Sequence, residues 1–121
     1  MRRGSTPRRA ALAAAQQVTE PGQKAVALAH VAVDLMMERD YNRASNSLTE
    51  ALNLANQVSR DDEQSEFHLA ISRAHSLLRL FREARIEADK CRRSEYRLAG
   101  YTSLLTEYEA SRIGANSVAV K

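Results

Sequence analysis

Apolar side chains recur at spacings of three and four along most of the chain, and short polar breaks separate the stretches that carry them. Leu28, Val31, Leu35 and Met36 form one stripe. Tyr41, Ala44, Leu48, Ala51, Leu52 and Val58 form the next. Phe67, Ile71, Leu77 and Leu78 follow, then Phe81, Ala84, Ala88 and Cys91, then Leu98, Tyr101, Leu105 and Tyr108. The period is that of amphipathic helices. Glu20-Pro21-Gly22, Arg39-Asp40 and Leu80-Phe81 interrupt it. Asp61-Asp62-Glu63 reads as a helix start, because carboxylates there meet free N–H groups and the positive end of the helix dipole. Ala10 to Val18 predicts a short Ala-rich helix, a second helix begins near Gly22 or Gln23, and the last one ends near Gly114. The fold class expected is all-α, with one core for a chain of 121 residues.

Shifting the chain by 40 residues superposes the pattern on itself: Tyr41 meets Phe81, Ala44 meets Ala84, Val31 meets Ile71, and Arg39 meets Arg79. Leu28 and Leu35 meet His68 and His75, while Leu48 and Ala51 meet Ala88 and Cys91. An offset that pairs aromatic with aromatic and small with small is the mark of an internal repeat. Small residues at Ala32, Ala44 and Ala51 let two antiparallel helices approach closely, with Tyr41 at their turn.

Written out, the first unit is Leu28-x2-Val31-Ala32-x2-Leu35 followed by Tyr41-x2-Ala44-x3-Leu48-x2-Ala51, and the second keeps Ile71, Phe81 and Ala84, with Cys91 in the place of Ala51. This resembles the tetratricopeptide repeat, lengthened from the usual period of about 34 residues. Similar lengthened repeats occur in kinesin light chains, G-protein regulators and peptide-sensing bacterial regulators. The resemblance implies a short α-solenoid. It would have two helical hairpins, about 25–58 and 65–98, and a C-terminal capping helix of about 98–113 that solvates the end of the array. The domain would span 10–114, between a flexible basic tail of 1–9 and a C-terminal tail of 115–121. About three repeats are normally needed for stability, so two and a cap imply self-association or docking on a larger partner.

The resemblance also implies a binding face built by the first helix of each pair. Its outward positions are Val26, Ala29, Val33, Met36 and Met37 in the first unit, and Leu69, Arg73, Ser76 and Leu77 in the second. The family members that clamp a C-terminal carboxylate present several cations there; this chain has Arg73 alone. The expected partner is therefore a peptide or helix of another protein, held in an apolar groove where Met36 and Met37 supply adaptable thioethers.

No glycine-rich phosphate loop, paired-cysteine motif or nucleophile elbow is present, so no catalysis and no cofactor are expected. His68, His75 and Cys91 fall on inward positions of the repeat, but the seven-residue spacing of the histidines is not that of a helix-borne metal pair. No metal is expected, and Cys91 reads as a small core residue. A single cysteine excludes an internal disulfide and fits an intracellular, cytoplasmic setting. No apolar run approaches the length of a membrane span.

The net charge of +3 belongs to the N-terminus: Arg2, Arg3, Arg8 and Arg9 stand in a stretch with no acid, and the 15 acidic residues all follow it. The remainder is close to neutral, so a nucleic-acid-binding body is not expected. Arg79, Arg82, Arg85, Arg92, Arg93 and Arg97 interleave with Glu83, Glu87, Asp89 and Glu95 as a solvated, ion-paired face. The tail offers Ser5 and Thr6 as phosphorylation sites in a basic context. It also carries the competing functional reading, an electrostatic arm that holds nucleic acid or a polymer such as a microtubule.

Overall fold

The molecule, a computed structural model, is described for residues 7–120, with the side chains of Arg8 and of 115–120 excepted. Among these residues it is helical, without strands: α1 (Pro7–Gln16), α2 (Pro21–Met37), α3 (Tyr41–Asn53), a 3₁₀ turn (Ala55–Gln57), α4 (Asp61–Leu77), α5 (Phe81–Asp89) and α6 (Ser94–Val120). The 40-residue offset is built into the backbone. α2 and α4 begin and end at equivalent positions, and α3 and α5 begin at equivalent ones.

The turns between them are the same turn twice. Arg39 and Arg79 both adopt φ 65, the left-handed region that costs an ordinary residue roughly 1–2 kcal/mol. In return each closes its helix with the same pair of hydrogen bonds. Arg39 N–H donates to Met36 O (3.0 Å) and Asp40 N–H to Leu35 O (2.9 Å), while Arg79 N–H donates to Ser76 O (3.0 Å) and Leu80 N–H to His75 O (2.8 Å). Neither position carries the Gly or Asn that usually announces such a C-cap, which is why the sequence showed only a break.

Other boundaries follow from local chemistry. Glu20 accepts from Gln23 N–H at 2.6 Å and Pro21 opens α2, so the interruption read at Glu20-Pro21-Gly22 is a helix N-cap with its proline in the tolerated first turn. Gly22 is required there, since a Cβ would lie 2.7 Å from the carbonyl oxygen of Gln57 in the 3₁₀ turn. Asp61, Asp62 and Glu63 do form the first turn of α4. Three expectations shift. Pro7 to Arg9, assigned to the tail, belong to α1; Val58 lies beyond α3, in a loop; and α6 starts at Ser94 and passes through Gly114 to Val120. Ser5 and Thr6 lie outside the described residues.

Ion pairs and hydrogen bonds orient the helices. Lys24 at the start of α2 pairs with Glu50 near the end of α3 (3.7 Å), and Ser72 at mid-α4 donates to Ala84 O in α5 (2.7 Å), so both hairpins are antiparallel. His30 of α2 meets Glu66 of α4 (2.9 Å), Arg73 of α4 donates to Ser103 of α6 (3.2 Å), and the later residues Met37, Leu77 and Glu107 gather at one place, so α2, α4 and α6 run side by side in one direction. α1 packs on α2, and α5 packs on both α4 and α6. The core joins Leu28, Leu35, Ile71 and Phe67 with Ala25, Ala29, Ala32, Ala44, Ala51, Ala70 and Ala74. Each buried leucine is worth roughly 1.5–3 kcal/mol, and the alanines let the backbones approach. Of the signature residues, Leu28, Val31, Ala32, Leu35, Ala44, Leu48, Ala51, Ile71, Ala84 and Cys91 are buried; Tyr41 is exposed and Phe81 half-buried, edge-on to Tyr108 at 5.4 Å.

The second hairpin replaces alanine by serine at the same register, and the hydroxyls are used. Ser65 stands where Ala25 stands; its Oγ accepts from the N–H groups of Arg92 and Arg93 (3.1 and 3.2 Å), and its carbonyl accepts from Cys91 Sγ (3.4 Å). Ser72 stands where Ala32 stands, and makes the bond to Ala84 just described.

Candidate functional site

The face shared by α2, α4 and α6 carries two depressions. One, of about 300 Å³, lies toward the C-terminal ends of α2 and α4 and is lined by Val33, Asp34 and Met37 of α2, Arg73, Ser76 and Leu77 of α4, and Ser103 and Glu107 of α6. The other, of about 340 Å³, lies toward the N-terminal ends of α4 and α6 and includes His30, Glu66, Leu69 and Tyr96.

Of the nine expected outward positions, Val33, Met37, Arg73, Ser76 and Leu77 converge on the first depression and Leu69 lines the second. Val26, Ala29 and Met36, expected to face outward, are buried instead, as are Leu69 and Ser76 beneath their depressions. α2 is packed on by α1, α3 and α4, which leaves only a narrow strip of it open. The adjacent methionines are thereby split: Met36 is 4% exposed in the core and Met37 is 63% exposed on the rim. Successive residues on a helix point about 100° apart, so a pair cannot share one open strip.

The groove is mixed in chemistry. Met37, Val33 and Leu77 supply apolar surface. Arg73 is held by its Nε on Ser103, and the carboxylates of Asp34 and Glu107 form no ion pair among the described residues. Ser76 is fully buried, and its Oγ is without a hydrogen-bond partner among the described residues, as is Nδ1 of His75. An unsatisfied buried hydroxyl costs roughly 1–3 kcal/mol. Asp34, Ser103 and Glu107 were not anticipated: the first two carry no pattern of their own, and Glu107 sits among other exposed acids.

The titratable groups inside the second hairpin contact one another. Glu87 of α5 accepts from His68 and from Lys90, each at 2.9 Å. Burial works against its ionisation, but those hydrogen bonds and the charges of Lys90 and His68 outweigh it and hold the carboxyl below its ordinary value of 4.5. Burial first, and Glu87 second, push the Cys91 thiol up, against the lowering effect of Arg97. A buried neutral thiol of that kind is a poor nucleophile. Among the described residues no group of three or more His, Cys, Asp or Glu could hold a metal ion, and no helix is long and apolar enough to cross a membrane. Of His68, His75 and Cys91, His68 bonds Glu87 and Cys91 donates to the carbonyl of Ser65.

The exposed positions of α6, the helix expected to cap the array, mix polar residues such as Glu95, Thr102, Thr106 and Glu109 with apolar ones. Leu98 and Leu105 are 65% and 59% exposed.

No family model, no curated protein and no solved structure matches the chain.

Proposed function

We propose that the protein is a non-catalytic binding module of the tetratricopeptide-like kind, an adaptor, scaffold or assembly subunit that receives a segment of a partner protein in the α2–α4–α6 groove. The observation that carries this reading is the convergence of apolar and polar side chains from three helices at one depression: Met37, Val33 and Leu77 beside Arg73, which Ser103 holds, and the carboxylates of Asp34 and Glu107. That mixture suits a peptide or helix with one apolar anchor and a neighbouring basic side chain, which the two carboxylates would meet. The repeat supports it, because equivalent helices laid side by side create one continuous face. A reducing intracellular compartment, where a free buried thiol persists, belongs to the same reading.

The test is selection of random displayed peptides on the intact protein, followed by affinity measurement with Met37→Glu. Met37 is exposed, so this variant keeps the fold, which circular dichroism checks. Selected peptides should carry an apolar residue near a basic one and lose at least about tenfold in affinity, on the order of 1.4 kcal/mol. Unchanged affinity in a folded variant refutes the groove.

A further inference from the structure

Counted from its first residue, α6 repeats a pattern that α2 and α4 hide. The fifth, eighth, twelfth and fifteenth positions are Ala25, Leu28, Ala32 and Leu35 in α2, Ser65, His68, Ser72 and His75 in α4, and Leu98, Tyr101, Leu105 and Tyr108 in α6. In α2 all four are fully buried. In α4 the positions meet the antiparallel helix α5 and the residues after it: Ser72 bonds Ala84, His68 bonds Glu87, and Ser65 bonds Arg92 and Arg93. In α6 the same stripe is open, Leu98 and Leu105 most of all. Its two tyrosines lean toward α5, Tyr101 donating to Asp89 and Tyr108 meeting the ring of Phe81 edge-on.

Two depressions flank Tyr101. One, of about 480 Å³, is bounded by Leu98, Arg97, Ser94 and Glu95; the other, of about 380 Å³, by Leu104, Leu105 and Arg85. Each therefore has a guanidinium at its edge. Among the described residues Arg97 bonds the backbone carbonyls of Cys91 and Arg92, and Arg85 pairs with Asp89 at 4.0 Å. Asp89 shares its carboxylate between Tyr101 and Arg85, and among the described residues Glu95 is the acid that lines these two depressions.

We infer that this face of α6 receives an acidic amphipathic helix of another protein, laid antiparallel across Leu98, Tyr101 and Leu105, with its carboxylates meeting Arg85 and Arg97. The shape argument is that the equivalent stripe of α4 already accepts an antiparallel helix in this fold, one that brings a carboxylate, Glu87, to the eighth position. The charge argument is the pair of arginines at the two depressions. Apolar anchors at three-and-four spacing supply the affinity, and the rim charges select the partner.

The probe is a synthetic amphipathic helix with Leu and Ala at three-and-four spacing and Glu on both flanks, titrated into the intact protein and followed by fluorescence anisotropy. Its control carries Lys in place of every Glu. The Glu peptide should bind several-fold tighter than the Lys peptide, the difference should shrink with added salt, and Leu105→Asp should abolish binding of both. Arg85→Glu, an exposed change that leaves the packing intact, should invert the preference. Equal binding of the two peptides, no binding, or an unaltered preference in Arg85→Glu overturns the inference. So does light scattering that shows a dimer of the unliganded protein dissociated by Leu105→Asp, since the stripe would then be covered by a second copy. Met37→Glu should leave this binding untouched, which separates the two surfaces.

Discussion

Replacing Gly100 by alanine puts two physical effects of opposite sign in competition. Gly100 lies within α6, where glycine-to-alanine ordinarily stabilises by about 1 kcal/mol. Here the new Cβ would stand 2.8 Å from Cβ of Ala88, 3.5 Å from its Cα and 3.5 Å from Ser72 Oγ. Carbon atoms in contact sit at about 3.5–4.0 Å, so α6 must move away from α5 by several tenths of an ångström. Overpacking of this kind costs about 1–3 kcal/mol. The net expectation is a loss of up to about 2 kcal/mol, measured by urea denaturation under far-ultraviolet circular dichroism. Ala88→Gly alone should also destabilise, by about 1 kcal/mol of helix propensity plus about 0.8 kcal/mol of buried methyl. In the double variant the methyl has changed sides, the propensity effects cancel and the clash is gone. Its stability should return to within about 1 kcal/mol of the parent, a coupling of about 1–3 kcal/mol. Since α6 brings Ser103 and Glu107 to the groove, Gly100→Ala should weaken selected peptides and the double variant restore them. A stabilised Gly100→Ala, or strictly additive single changes, would show that α6 does not dock on Ala88 and would refute the packing that builds the groove's third wall.

Glu87 predicts a pH dependence. Its carboxyl is held below 4.5 in the folded chain, so its contribution is complete above that value and is lost as pH falls through the lower folded one. Glu87→Gln should flatten that acid limb of the stability profile, and an unchanged limb contradicts the assignment. Cys91 is 1% exposed with its thiol pushed up, so a thiol reagent should modify it only as fast as the protein unfolds. Labelling at the rate of a free cysteine would place the residue at the surface.

Much of the fold was legible because helical periodicity and the 40-residue offset are written in apolar residues. α2 and α4 share bounds under that shift, and Ala44 and Ala84 are both fully buried. What stayed hidden has physical causes. The left-handed turn is held by Arg39 and Arg79, residues that carry no turn signature. Which side of α2 stays open depends on α1 and α4, which no property of Val26, Ala29 or Met36 encodes. The buried serines of α4 carry no signal of their own in the sequence, and the bonds that justify them depend on α5 and the residues after it. The stripe on α6 was seen but read as a solvating end, because three-and-four spacing does not tell whether a covering helix is present.

Whether the face shared by α2, α4 and α6 receives a partner is tested most directly by titrating a selected peptide into isotope-labelled protein and following every backbone amide. The largest shifts should fall on Val33, Met37, Arg73, Leu77 and Ser103, and Met37→Glu should remove them. Shifts centred on the outer surfaces of α3 or α5, with that groove silent, would contradict the groove and the function proposed for it.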